Sequence, residues 1–95
     1  MDTPSSTRLR ILGVTKSGKT FRPSDWAERL AGVMAPFHPD AGPGRQIGYS
    51  PWCVPQSEGD LKCVVVDRAL RSFNVLAWDF VVNFARDNEL QVREE

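Results

Sequence analysis

The sequence predicts an α+β fold, a ferredoxin-like βαββαβ two-layer sandwich whose antiparallel sheet carries two helices on one face. Three observations predict it. Apolar and β-branched runs alternate with segments whose apolar residues recur at helical spacing, in the order strand, helix, strand, strand, helix, strand. Pro51 and Pro55 fall in the second strand-like run. A proline cannot donate to a ladder, so that strand belongs at a sheet edge, where this architecture puts its second strand. Finally, 95 residues suit one domain of this size and leave no room for a second core.

Each element has a local reason. Residues 1–8 are polar and read as a flexible tail before a single domain over residues 9–95. Residues 9–15 (LRILGVT) form the first strand, and Gly18 supplies the turn that follows. Thr20, Phe21 and Arg22 run back briefly until Pro23. Ser24 or Asp25 caps a helix, with Glu28 completing a capping box. Its buried stripe is Trp26, Leu30, Val33, Met34 and Phe37. Residues 38–48 are a loop by their Pro and Gly content. Residues 49–55 form the edge strand, 56–60 a turn and 61–66 an interior strand apolar on both parities. Asp67 caps a short helical turn at 68–73. A longer helix then buries Ala77, Phe80, Val81, Phe84 and Ala85 and is C-capped by Asn88. Residues 90–94 alternate as a last strand.

Composition narrows the function classes. Twelve basic residues balance twelve acidic ones, which removes the electrostatic drive toward nucleic acid or an anionic membrane surface. No apolar run exceeds four residues, so no segment spans a bilayer, and the first residues lack the apolar core of a secretory signal. Two cysteines make no disulfide scaffold and fit a reducing, cytoplasmic setting. The sequence calls for no cofactor and no metal.

One stretch matches a phosphate-binding loop. Gly13, Gly18, Lys19 and Thr20 satisfy G-x-x-x-x-G-K-[ST], whose chemistry needs a helix starting at the Lys-Thr step. Here Phe21, Arg22 and Pro23 intervene, so a turn between lysines is the better reading. Gly18-Lys19-Thr20-Phe21-Arg22, lying between the first strand and first helix, is also similar to part of the acylphosphatase loop. That resemblance implies phosphoryl binding by loop amides and Arg22. The family's Gln-Gly-Val core and its water-positioning Asn are missing from this stretch, since asparagine occurs only at 74, 83 and 88. What remains is a candidate anion site at Lys16, Gly18, Lys19 and Arg22.

The other chemistry-bearing residues point elsewhere. Cys53 and Cys63 flank the hairpin turn; facing each other they could form a disulfide, while one step of register slip separates them onto opposite faces. His38 and Asp40 could join them around zinc, but no C-x-x-C spacing supports this, and two buried thiols fit better. Trp26, Trp52 and Trp78 read as core or interface aromatics. An RNA-recognition sheet would need aromatics on its central strands, and residues 9–15 and 61–66 have none. On those strands the odd positions are taken to meet the helices. Leu12, Val14, Val64 and Val66 then form an apolar patch on the open face, rimmed by Arg10, Lys16 and Lys62. A homodimer or another protein partner is expected to dock there.

Residues 11–16 (ILGVTK), 18–30 (GKTFRPSDWAERL), 49–51, 62–67 (KCVVVD) and 79–92 (DFVVNFARDNELQV) together resemble a family of short proteobacterial proteins known as a domain of unknown function. The resemblance implies a bacterial α+β domain and brings no catalytic residues. The expected function is therefore a non-enzymatic interaction or regulatory module using the open sheet face. The alternative is a phosphate-binding or acylphosphatase-like protein acting through Lys16 to Arg22.

Overall fold

Seven elements are described in the computed structural model, which covers residues 8–37 and 49–95. They are β1 (Arg8–Thr15), α1 (Trp26–Met34), β2 (Cys53–Glu58), β3 (Leu61–Asp67), α2 (Ala69–Phe73), α3 (Val75–Asp87) and β4 (Leu90–Glu94). The fold is α+β. All four strands join one antiparallel sheet in the order β2-β3-β1-β4. Two helices separate β3 from β4, the short one expected at 68–73 and the longer one after it. Of the tail predicted over residues 1–8, Arg8 instead opens β1, while residues 1–7, the loop at 38–48, and with it His38 and Asp40, lie outside the described residues.

β2 begins later than expected, at Cys53, and pairs through Pro55 and Glu58 with β3 alone, so it is an edge strand. Pro51 precedes it. Glu58 faces Leu61 across a two-residue turn in which Gly59 takes φ +60°, the left-handed conformation that suits glycine. Just before β2, buried Ser50 donates from Oγ to the Phe37 carbonyl (2.7 Å) and accepts from the Trp52 amide (3.1 Å). That side chain ties the end of α1 to the start of β2.

The β1–β3 register decides which side chains form the core. Ile11 pairs with Val64 and Leu9 with Val66, so odd positions of β1 share a face with even positions of β3. That face carries Ile11, Val64, Val66 and Cys53 against Trp26, Leu30 and Met34 of α1 and Ala77 and Val81 of α3. Val64 and Val66 are therefore core residues, 0% and 1% exposed, and not part of an open-face patch with Leu12 and Val14. Apolar residues on both parities of β3 hide its phase from periodicity. The same parity separates the cysteines. Cys53 pairs with Val66, while Cys63 pairs with Gln56 on the other face, so the two free, buried thiols cannot join.

Both long helices sit differently from their expected stripes. α1 buries Trp26, Ala27, Leu30, Ala31 and Met34, while Val33 is exposed. Asp25 does not cap it; its carboxylate accepts from Arg29 Nε at 2.8 Å instead. Ahead of α2, Asp67 Oδ1 accepts from the Ala69 amide at 2.9 Å, one residue before the N-cap, Arg68, whose side chain makes no cap. α3 is capped by Asn74, whose Oδ1 accepts from the amides of Leu76 and Ala77 at 3.0 and 3.1 Å. It buries Ala77, Trp78, Val81 and Ala85, and turns Phe80 outward. At its end Asn88 Nδ2 donates to the Phe84 carbonyl at 2.9 Å, and Glu89 at φ 54° redirects the chain into β4. No helix among the described residues is long and apolar enough to cross a membrane.

Candidate functional site

The predicted anion loop is a closed turn. Thr15 N donates to Lys19 O (2.8 Å), Gly18 N to Thr15 O (2.9 Å) and Lys19 N to Thr15 Oγ1 (3.1 Å). Lys16 N donates to Glu89 O (2.8 Å) and Phe21 N to Gly13 O (2.9 Å). Gly18, at φ +91°, makes this turn possible. A phosphate cradle needs amides pointing outward and a helix starting there. Here the amides of Thr15, Lys16, Gly18, Lys19 and Phe21 donate to oxygens of the protein itself, and α1 starts only at Trp26. Gly13 is small for another reason. A Cβ there would stand 2.7 Å from the Lys62 carbonyl and 2.8 Å from Trp26 Nε1.

Lys16, Lys19 and Arg22 are all exposed, and none of the three takes part in a salt bridge among the described residues. Any anion held at this turn would be held chiefly by these side chains. The asparagines are far from that role; Asn74 and Asn88 cap the two ends of α3.

On the outer sheet face, opposite the helices, Arg10 lies at the centre of an ionic lattice. Its guanidinium hydrogen-bonds Glu95, stands 3.3 Å from both Glu58 and Gln56, and reaches Cys63 Sγ at 3.4 Å. Arg93 bridges Glu58 and also lies 3.8 Å from Glu95. Arg10 holds the Glu95 carboxyl below its ordinary range, and Glu95 in turn holds the guanidinium charged. Leu12, Cys63 and Val65 of this face are buried. It is a charged surface with an apolar floor, not the open apolar patch expected. The thiols offer no nucleophile. Both are buried, and desolvation pushes Cys53 up to about 12. No cluster of three metal-ligating side chains occurs among the described residues.

Concave apolar surface lies instead on the helix layer. Trp26 stacks on Phe84 with centroids 6.0 Å apart, and Phe21 meets both rings edge-on at 5.5 and 6.0 Å. This cluster closes one end of a groove between α1 and α3; Phe37 and Leu76 close the other, and Val33 and Phe80 run through both halves. Arg29 is its single charged lining residue among the described residues. Val33, Leu76 and Phe80 are 57%, 75% and 48% exposed. Sequence reasoning had placed Val33 and Phe80 in the core and passed over Leu76. The available signal was that α3 carries more apolar residues than one buried stripe holds.

A family model described as a protein of unknown function, DUF3579, matches residues 5–95. The chain belongs to this family. A solution structure described as the first structural representative of its family is 30% identical, covers 99% of this chain and 83% of its own, and superposes with a TM-score of 0.82. A search of curated proteins finds no match. The DUF3579 match contains every described residue, so the turn, the outer lattice and the groove all belong to the family domain.

Proposed function

We propose that this chain is a non-catalytic interaction module that self-associates, with a second copy docking in the groove between α1 and α3. The observation that carries it is the exposure of Val33, Leu76 and Phe80 along one apolar groove. Soluble chains rarely leave such a contiguous patch to water. A second copy suits it on two counts. Zero net charge gives no repulsion between copies. The helices that form the groove also carry both signs, Arg29 on α1, which pairs with Asp25, and exposed Asp79 on α3, so a two-fold contact can set opposite charges side by side. The groove replaces the face read from Leu12, Val14, Val64 and Val66, since two of those residues are core. A phosphoryl-transfer reading through Lys16 to Arg22 lacks comparable support, because the loop amides are already donated.

The reading includes a ferredoxin-like fold, supported by the strand order β2-β3-β1-β4 with α2 as an added turn. It keeps the cytoplasmic setting, which two free thiols favour, and the proteobacterial origin that the family resemblance implies. Sedimentation velocity from micromolar to millimolar protein tests the function. Dimer should grow with concentration, and Leu76→Glu, at an exposed position, should abolish it with the circular dichroism spectrum unchanged. A monomer at every concentration contradicts the proposal, as does a Leu76→Glu variant that dimerises like the parent.

A further inference from the structure

A second concavity lies away from the groove, between α3 and the β1–β4 half of the sheet. Antiparallel pairing brings β4 beside β1 at the sheet edge, and α3 covers that half incompletely. A cleft of about 390 Å³ remains. That volume falls within the roughly 300–1,000 Å³ of small-molecule sites. Its accessible apolar lining is Leu9, Val82 and Val92, the last 47% exposed, backed by Ile11, Val66, Val81 and Leu90, which are nearly inaccessible to solvent. Two cations line it, Lys16 from the turn after β1 and Arg86 from the last turn of α3. Among the described residues no carboxylate lines it. Arg86 has one acidic neighbour, exposed Asp87 at 3.7 Å, and Lys16 has none within salt-bridge distance among the described residues.

An apolar floor beneath two cations selects a ligand with a matching division. We propose that the cleft binds a medium-chain aliphatic monocarboxylate, its tail on Leu9, Val82 and Val92 and its carboxylate between Lys16 and Arg86. Tail burial supplies affinity through area removed from water, while the cations fix which end faces out. Among the residues expected to form an anion site, Lys16 takes that role beside Arg86, seventy positions later in the chain. Lys19, Arg22 and Gly18 do not line the cleft.

The test is a titration with butanoate, hexanoate, octanoate and decanoate, followed by amide and methyl chemical shifts. The shifts should centre on Leu9, Val82, Ala85 and Val92. Affinity should rise about fourfold per added methylene until the cleft is full. Octanol should bind at least tenfold more weakly than octanoate. Lys16→Gln with Arg86→Gln, both at exposed positions, should remove that difference without altering the spectrum of the free protein. A second variant, Ala85→Leu, should fill the floor and shorten the longest chain that gains affinity. Three results each overturn the proposal: no shift at these residues with octanoate, equal binding of octanol and octanoate, or carboxylate binding that ignores chain length. Inorganic phosphate moving Ser17 to Arg22 while octanoate moves nothing would assign the cations to a phosphoryl ligand instead.

Discussion

Ile11 of β1 stands directly opposite Val64 of β3, which puts an odd position and an even position on the same buried face. That pairing commits Val64 and Val66 to the core and leaves Val14, half-buried, on the other side. Val64→Ala should therefore cost about 1–3 kcal/mol, the range for deleting buried methyl groups. Val14→Ala should cost under about 0.5 kcal/mol, as ordinary surface changes do. Urea denaturation of the two variants measures the contrast, and equal losses would place the faces wrongly.

Gly13 sits where β1 passes beneath Trp26 and beside the Lys62 backbone. A methyl group there must displace the carbonyl or the indole. Gly13→Ala should destabilise by about 1–3 kcal/mol, in the manner of overpacked cores. The tryptophan emission of the folded protein should also shift. Gly18→Ala meets no nearby atom but needs a left-handed backbone, so it should cost about 1 kcal/mol and leave the emission unchanged. Identical emission changes in both variants would contradict the close approach of Gly13 to Trp26.

The two long helices begin in different ways. Asn74 accepts from two amides of α3, whereas the Asp25 side chain makes no cap to α1 and pairs with Arg29. Asn74→Ala should cost about 1 kcal/mol. Asp25→Ala should cost less than about 0.5 kcal/mol, the scale of an exposed i,i+4 pair. Thermal unfolding of both variants distinguishes them, and an Asp25 loss equal to that of Asn74 would mean that Asp25 caps after all.

Cys53 links burial to pH. In the unfolded chain its thiol ionises near its ordinary value of 9.0, while in the folded chain burial holds it protonated to about 12. Ionisation then favours the unfolded chain. Stability that is full below pH 9 is lost as pH rises toward 12, at up to about 1.4 kcal/mol per pH unit. Cys53→Val removes this dependence. Urea midpoints at about pH 8 and about pH 10.5 should fall further for the parent than for the variant. Parallel falls would show that Cys53 ionises as readily folded as unfolded.

Local chemistry made several elements readable. Pro55 marked the edge strand, Asn88 announced the C-cap it forms, and the alternation over residues 90–94 matched β4 to the residue. Relations between elements were not readable. β3 is apolar at Cys63, Val64, Val65 and Val66, so either parity could have faced the helices, and only pairing with β1 chooses. α3 likewise offers two apolar arcs, and packing against the sheet buries Trp78 where periodicity alone favoured Phe80. Lys16 and Arg86 meet at one cleft because β4 returns beside β1. No local spacing encodes that return.

Self-association through the groove is tested most directly by nuclear Overhauser effects between copies, in a mixed sample of isotope-labelled and unlabelled chains at millimolar concentration. Intermolecular contacts are expected between the Leu76 methyls and the Val33 and Phe80 side chains, and are expected to vanish in Leu76→Glu. Intermolecular contacts confined to the outer-face residues Leu12 and Val14, or none at all, would contradict docking between α1 and α3.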